Sequence, residues 1–208
     1  MTPLRSAALI AALALTALTG CAATAPETTE QPATDGAFPV TIEHAFGETV
    51  IPERPERVAT WGWSTADAVI ALGVTPVAMP FQAYGGDEQG VLPWVREALD
   101  EAGAETPIIL TNTGEDIPYE EIAAAAPDVI LAQYSGITQE QYETLSAIAP
   151  TVAYPDQPWT TPWRDVISIT GQALGLEAEA DAVLAGIDAE LAAAAAANPE
   201  FAGLTLAT

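Results

Sequence analysis

The sequence predicts an α/β fold: an N-terminal lobe with a parallel sheet flanked by helices, a long helix after it, and a second α/β lobe that is mostly absent. Two observations carry this prediction. Short apolar runs alternate four times with helical segments, which is typical of a parallel sheet covered on both faces. An Ala-rich run from Glu177 to Asn198 then predicts one helix about 32 Å long, enough to join two bodies.

The first lobe is assigned to residues 38–175, and its elements follow from local patterns. Alternating apolar residues on either side of a turn at 46–48 predict a hairpin. Strands are predicted at 58–61, 74–79, 129–132 and 151–154, a further short apolar run lies at 107–110, and helices are predicted at 65–72, 94–102, 118–125, 138–148 and 162–174. We expect Ser64, Thr138 and Thr161 to cap three of these helices. We also expect Pro76 to place the second of these strands at an edge of the sheet.

The Ala-rich run is assigned to an interdomain helix, residues 176–199, and residues 200–208 to the start of the C-terminal lobe. Large apolar residues fall at helical spacing along one narrow stripe, which consists of Val183, Leu184, Ile187 and Leu191. A helix with so little apolar surface favours a strut between two lobes. The alternative is a surface helix that closes a single domain.

The composition limits the possible partners. The chain has 208 residues, of which 50% are hydrophobic, so it can bury a substantial core. Its net charge is −24, and its only cationic side chains are five Arg. Nucleic acid and anionic lipid surfaces need clustered cations, so neither is an expected partner. One Cys and one His exclude an internal disulfide and a Cys-based zinc site, and they leave little for His-based chemistry.

The amino terminus indicates export. Arg5 precedes an apolar run at 7–18 and small residues that end at Cys21, a pattern typical of a secretory signal and too short for a membrane span. Residues 1–21 resemble the bacterial lipoprotein signal peptide with its lipobox, which implies that Cys21 is lipidated. The alternative is a plain signal peptide with an accidental Cys. Residues 22–37 are expected to be a disordered tether that holds the protein at the extracytoplasmic face of the cell membrane.

Aromatic and polar side chains follow the predicted strands at their carboxyl ends, where α/β sheets bind ligands. The predicted ligand-binding residues are Trp61, Trp63, Tyr84, Gln133, Tyr134, Ser135, Trp159 and Arg164. A shallow cleft of aromatic rings suits a bulky, partly apolar small molecule, with Gln133, Ser135 and Arg164 as polar anchors. The alternative is that Trp61 and Trp63 are core or edge residues.

No motif for catalysis is present in the sequence. It has no G-x-S-x-G, no phosphate-binding Gly loop and no His beside a Ser or an acid. His44 lies in the predicted hairpin, away from the predicted cleft, and is expected to be a structural or surface residue. The acid pairs at 115–116 and 120–121 are explained more simply as acids at a helix start, where the helix dipole favours them.

The lipoprotein signal is followed by five motifs, at 40–52, 57–59, 71–77, 119–131 and 148–152. In these features and in their order, the chain resembles the substrate-binding proteins of bacterial ABC importers for iron–siderophores. The wider group includes cobalamin and haem binders. The resemblance runs from about Phe38 to the last residue. It implies two α/β lobes joined by one long helix, with the ligand between them. It also implies that Glu120 or Glu121 docks on the membrane permease, for which solvation at a helix start is the alternative.

The cargo implied by the resemblance is a ferric siderophore that is delivered to an ABC transporter permease for iron uptake. Ferric catecholates are strongly anionic and need several Arg or Lys side chains, whereas this lobe offers Arg164 at most. We therefore expect a neutral or cationic ferric hydroxamate. The siderophore would hold the iron, so neither a cofactor nor a protein ligand to metal is predicted. The alternatives are cobalamin or haem as cargo, or a secreted α/β enzyme whose catalytic residues lie in the absent lobe.

Overall fold

The structure is a computed structural model that describes residues 38–111 and 116–205. Its elements are β1 (Val40–His44), β2 (Gly47–Ile51), β3 (Val58–Thr60), α1 (Thr65–Ala71), β4 (Ala78–Pro80), α2 (Pro93–Ala102), β5 (Ile108–Leu110), α3 (Tyr119–Ala124), β6 (Val129–Leu131), α4 (Gln139–Ser146), β7 (Thr151–Val152), α5 (Trp163–Leu174) and α6 (Glu177–Ala197). The predicted signal with Cys21, the tether and residues 206–208 lie outside the described residues. None of the described helices is both long and apolar enough to span a bilayer.

The main sheet has five parallel strands in the order β5-β4-β3-β6-β7. The chain enters at β3 in the centre, builds outward through β4 and β5, and then returns to the other side of β3 with β6 and β7. Strands β1 and β2 form a separate antiparallel hairpin, as expected. The predicted fold class, a parallel sheet flanked by helices, is confirmed.

Successive residues of the central strands face opposite helical layers. Val58 in β3 and Val129 and Leu131 in β6 pack with α1, α5 and the hairpin. Ala59 and Ile130 face the other way and pack with α3 and α4. Both faces of the sheet are therefore covered, which explains why its strands consist of unbroken apolar runs.

Helix α6 has the expected length but is attached along its first half only. Ala180 is buried, and the predicted stripe is half-buried against α1 and α5 as far as Ile187. Leu191 is 56% exposed, and every residue of the helix beyond Ile187 is exposed. Apart from the ion pair of Asp188 with Arg164, the second half of α6 therefore projects from the lobe without a packing partner among the described residues.

The expected helix caps have different outcomes. Thr138 caps α4 as predicted, because Gln141 N–H donates to Thr138 Oγ1 (3.2 Å) and Thr138 N–H donates to Gln141 Oε1 (2.8 Å). The prediction for Ser64 is wrong, since its side chain makes no capping bond and its φ is 55°. The prediction for Thr161 is also wrong. Its hydroxyl instead donates to the carbonyl of Gln133 (2.5 Å), which ties the approach to α5 onto the end of β6.

The expected effect of Pro76 on the second strand is wrong as well. Strand β4 begins at Ala78, two residues after the proline, and lies between β3 and β5. Because Pro76 precedes the ladder, its missing N–H removes no sheet hydrogen bond.

His44 connects the hairpin to the main sheet. Phe46 N–H donates to Nδ1 (3.2 Å), so the proton lies on Nε2, which donates to Thr49 Oγ1 (2.9 Å). The Thr49 hydroxyl in turn donates to the carbonyl of Thr151 in β7 (2.6 Å). Both ring nitrogens are satisfied in the neutral form, and burial lowers the pKa of His44. His44 is thus a structural residue.

This arrangement predicts a pH-dependent stability. The lowered pKa of His44 means that the unfolded chain binds a proton first as the pH falls, so the stabilisation is complete above the unfolded pKa of about 6.5 and declines below it. The free energy of unfolding, measured with urea, should fall between pH 7.5 and 5.5. His44→Gln, which keeps a hydrogen-bonding amide but does not titrate, should flatten this part of the profile. Identical pH profiles for the two proteins would contradict the role given to His44.

Candidate functional site

A cavity of about 270 Å³, here called the main cavity, opens at the carboxyl edge of the sheet. Its lining residues are Trp61, Gly62, Trp63, Pro80, Phe81, Gln82, Ile117, Gly136, Ile137, Thr138, Gln141 and Trp159. They come from the segments that follow β3, β4, β6 and β7 and from the approach to α3. Neighbouring strands β3 and β6 mark the point where the strand order reverses, which is where open α/β sheets bind ligands.

The loops after β3 and β6 are joined directly by their backbones. Trp61 N–H donates to the carbonyl of Leu131 (2.8 Å), and Trp63 N–H donates to the carbonyl of Tyr134 (3.0 Å). Gly62 between them has a φ of 97°, and a Cβ at this position would overlap the Tyr134 carbonyl. Glycine therefore permits both the backbone conformation and the close approach.

Trp159 is held over the main cavity in an unusual conformation. Its φ is 61°, which is uncommon for a bulky residue, and its N–H donates to the carbonyl of Ser135 (3.1 Å). The indole lies against Gly136, where a Cβ would collide with the ring. Such backbone strain persists only where the surroundings fix it, and it occurs often at binding sites.

Four predicted aromatic side chains form one continuous row, here called the aromatic row, of which Trp63 and Trp159 line the main cavity and Tyr84 and Tyr134 do not. The ring centroids of Tyr84 and Trp63 are 6.4 Å apart, those of Trp63 and Trp159 are 6.4 Å apart, and those of Trp159 and Tyr134 are 6.0 Å apart. Trp63, Tyr84 and Trp159 are each at least 50% exposed. Trp61 is buried and forms the wall beneath them. The structure therefore brings the predicted aromatic residues together.

Two of the predicted polar anchors face the protein interior. The Gln133 side chain is buried, and its Nε2 donates to Thr170 Oγ1 (2.7 Å) and to the carbonyl of Val166 (3.3 Å), both in α5. The Ser135 hydroxyl is buried and donates to the carbonyl of Ala132 (2.7 Å). These side chains fix the position of the loop after β6, and they do not line the main cavity.

The third predicted anchor, Arg164, connects two helices. Its guanidinium pairs with Asp188 of α6 and lies 4.3 Å from the ring centroid of Trp163. The hydrogen bond from Arg164 lowers the pKa of Asp188, and the same bond raises the pKa of Arg164. Since both groups are exposed, the pair adds little to stability. Arg164 is not among the residues that line the main cavity.

Several residues that line the main cavity were not predicted from the sequence. They are Gln82, Ile117, Ile137, Thr138 and Gln141. Gln82 lies just after β4, beside the strand-end aromatic Phe81, a position that could have identified it. Thr138 and Gln141 were recognised only as the cap of α4, and that cap also forms part of the wall. The described residues that line the main cavity are all uncharged. Among the described residues, no cluster of His, Cys, Asp and Glu is arranged to hold a metal ion.

The two candidate docking acids have different surroundings. The Glu121 carboxylate accepts hydrogen bonds from Thr111 N–H (2.9 Å) and from the Thr111 hydroxyl (2.5 Å), and these bonds lower the pKa of Glu121. Glu120 is exposed in the first turn of α3. Glu121 is therefore engaged within the lobe, whereas Glu120 is the more accessible of the two.

Comparison with known proteins gives this site a family context. The model of the Periplasmic binding protein family matches residues 58–204, which includes the main sheet and the first part of the chain beyond α6. The chain belongs to this family. Relatives of this chain are named as substrate-binding proteins of ABC transporters and as siderophore-binding proteins.

Individual relatives cover part of their own length only. The chain is 30% identical over 152 residues to the probable siderophore-binding lipoprotein YfiY of Bacillus subtilis. This match covers 71% of the chain and 42% of YfiY. The structure of PiaA of Streptococcus pneumoniae in complex with ferrichrome is similar to this chain, with a sequence identity of 41% and a TM-score of 0.72, and the match covers 78% of this chain and 53% of PiaA. The structure of SirA of Staphylococcus aureus complexed with staphyloferrin B has a sequence identity of 30% and a TM-score of 0.63, and the match covers 79% of this chain and 53% of SirA. The chain thus spans about half the length of these proteins.

The contact at Gly62 predicts a local stability effect. Gly62→Ala should lower the free energy of unfolding by about 3 kcal/mol, because the new Cβ meets the Tyr134 carbonyl in addition to the cost of a positive φ. Gly73→Ala is the matched control: its φ is 78° with open space around it, so the loss should be about 1 kcal/mol. Urea unfolding measures both values. Equal losses would contradict a tight contact between the two loops.

Proposed function

We propose that this protein captures a ferric siderophore outside the cytoplasmic membrane and delivers it to the permease of an ABC-type importer for iron uptake. The observation that carries the proposal is the main cavity, which lies at the switch point of the sheet beside the aromatic row and whose described lining residues are uncharged. Relatives named for siderophore binding, and similar structures with ferrichrome and staphyloferrin B bound, support the same cargo class. No catalytic role is proposed, and the chelate rather than the protein holds the iron.

The uncharged character of the described lining residues supports a ferric hydroxamate as cargo. Three hydroxamate groups neutralise Fe³⁺, whereas three catecholates leave a strongly negative complex. Moving an anion out of water against rings, amides and a hydroxyl is costly without cationic partners. Arg164 pairs with Asp188 outside the main cavity, so it does not provide that compensation. Flat aromatic surfaces and neutral hydrogen-bonding groups suit a neutral or cationic complex instead.

The volume of the main cavity supports the presence of a second lobe that completes the ligand-binding site. Ligand pockets for small molecules usually have volumes of roughly 300–1,000 Å³, so about 270 Å³ accommodates only part of a ferric siderophore. We propose that α6 connects this lobe to a second α/β lobe that covers the ligand from the other side. The exposed second half of α6 supports this role.

The proposed location is the outer face of the cell membrane. The lipobox-like sequence ending at Cys21 supports lipidation at that residue, and residues 22–37 would then act as a tether. Glu120, exposed at the start of α3, is proposed as the acid that docks on the permease.

Ligand titration tests the proposal. In the full-length protein, with the proposed second lobe present, ferrichrome should quench the tryptophan fluorescence to saturation. Trp63→Leu, which removes the centre of the aromatic row, should weaken binding about tenfold. Trp163→Leu is the matched control, because Trp163 is also exposed but does not line the main cavity, and it should leave the dissociation constant unchanged.

The same titration distinguishes the alternative cargoes. A ferric tris-catecholate should bind far more weakly than ferrichrome. Saturable binding of haem or cobalamin, seen as a change in visible absorbance, together with no response to ferric siderophores would replace the proposed cargo. No response to any of these ligands would refute the proposed function.

An uptake assay tests the docking residue separately. Glu120→Ala should reduce siderophore-dependent uptake of radioactive iron several-fold in cells, with unchanged siderophore affinity in vitro, because a carboxylate that pairs with the permease is lost. Glu101→Ala removes an equally exposed acid at the end of α2 and should leave uptake unchanged. Equal uptake by both variants would exclude Glu120 from docking.

A further inference from the structure

A second, smaller depression adjoins the main cavity. Its volume is about 240 Å³, and its lining residues are Trp63, Ser64, Asp67, Gln82, Tyr84, Leu92 and Trp94. Trp63 and Gln82 line both spaces, so a ligand seated in the main cavity can extend directly into this one. We call it the ammonium recess, for the reasons that follow.

The recess combines three aromatic rings with one carboxylate. Trp63 and Tyr84 are inclined at 52° with centroids 6.4 Å apart, and Trp94 contributes the third ring. Trp94 Nε1–H donates to Asp67 Oδ1 (2.5 Å), which fixes the indole and the carboxylate relative to each other. Aromatic faces around a negative charge attract an organic cation through both cation–π and direct electrostatic interactions.

The electrostatics of the surroundings favour a cation. Asp67 is half-buried, and no cationic side chain is among the described residues that line the recess. Arg96, two residues beyond Trp94 on α2, is engaged elsewhere: it pairs with Asp87 (2.6 Å) and donates to Gln89 (2.9 Å) and Thr106 (2.8 Å). Its charge is therefore compensated outside the recess. The net charge of −24 adds a general attraction for cationic ligands.

We propose that the ammonium recess binds the protonated alkylamine end of a ferric hydroxamate whose iron centre lies in the main cavity. This inference rests on the proposed function and narrows it to siderophores with a cationic arm. The Ser64 hydroxyl and the Gln82 amide provide additional acceptors for the N–H groups of the arm. The Asp67 carboxylate then favours a cationic arm over a neutral one, in addition to accepting the hydrogen bond from Trp94.

A matched pair of ligands tests the proposal. Ferrioxamine B is a ferric trihydroxamate that carries one protonated amine, and its N-acetylated derivative is neutral but otherwise alike. Tryptophan fluorescence of the full-length protein should show ferrioxamine B binding about fivefold more tightly than the acetylated chelate at low salt, with the ratio falling as salt is added. Ferrichrome serves as a neutral reference for binding in the main cavity.

Substitutions separate charge from structure. Asp67→Asn can still accept the Trp94 hydrogen bond but carries no charge, so it should reduce the ratio of the two affinities to about one. Asp100→Asn removes one exposed acid from α2 outside the recess and should leave the ratio unchanged. A ratio near one in the unmodified protein, or a ratio that Asp67→Asn does not change, overturns the inference and leaves the proposed function standing.

A chelate-free probe distinguishes the two failures. If no ferric chelate binds, the proposed function is refuted, and with it the role of the recess in chelate recognition. Pentylammonium observed by NMR then reports on the recess itself through the Trp94 indole N–H signal. A saturable shift that Asp67→Asn abolishes retains the recess as a cation site, and the absence of a shift overturns it.

Discussion

The loops that follow β3 and β6 touch at Gly62 and Tyr134, and this contact determines the form of the site. Because β3 and β6 are neighbours whose next helices, α1 and α4, pack on opposite faces of the sheet, the two loops must diverge above the strand ends. The hydrogen bond from Trp63 N–H to the Tyr134 carbonyl (3.0 Å) joins them at their base. A cavity remains above the joint, and the aromatic row lies beside it.

The parts of the fold that depend on short-range patterns were predictable. Apolar strand runs, the Thr138 cap and the hairpin each follow from neighbouring residues, and the structure contains all of them, although β4 begins at Ala78 rather than at residue 74. The caps at Ser64 and Thr161 were not predictable in this way. Ser64 takes a left-handed conformation where the loop turns into α1, and the Thr161 hydroxyl donates instead to the carbonyl of Gln133, in the loop after β6 and distant in sequence.

In the candidate site, too, the features set by sequence position were predictable and those set by tertiary contacts were not. Aromatic residues that follow parallel strands lie close together because the carboxyl ends of these strands share one edge of the sheet. Sequence position alone therefore identified the aromatic row. The direction of a polar side chain depends on tertiary partners: Gln133 turns towards Thr170, and Arg164 turns towards Asp188. Both partners are distant in sequence from the residues that they bind, so no local pattern indicates these contacts. The result is a less polar cavity than expected, and this strengthens the argument for a cargo without strong negative charge.

The central claim is that a ferric chelate lies in the main cavity against the aromatic row. Paramagnetic NMR tests it most directly, because high-spin Fe³⁺ broadens nearby resonances whereas diamagnetic Ga³⁺ in the same chelate does not. With ferrichrome bound, the indole N–H signals of Trp63 and Trp159 should disappear and that of Trp163 should persist, and all three should be visible with the gallium complex. Loss of the Trp163 signal with retention of Trp63 and Trp159 would place the chelate elsewhere and contradict the account.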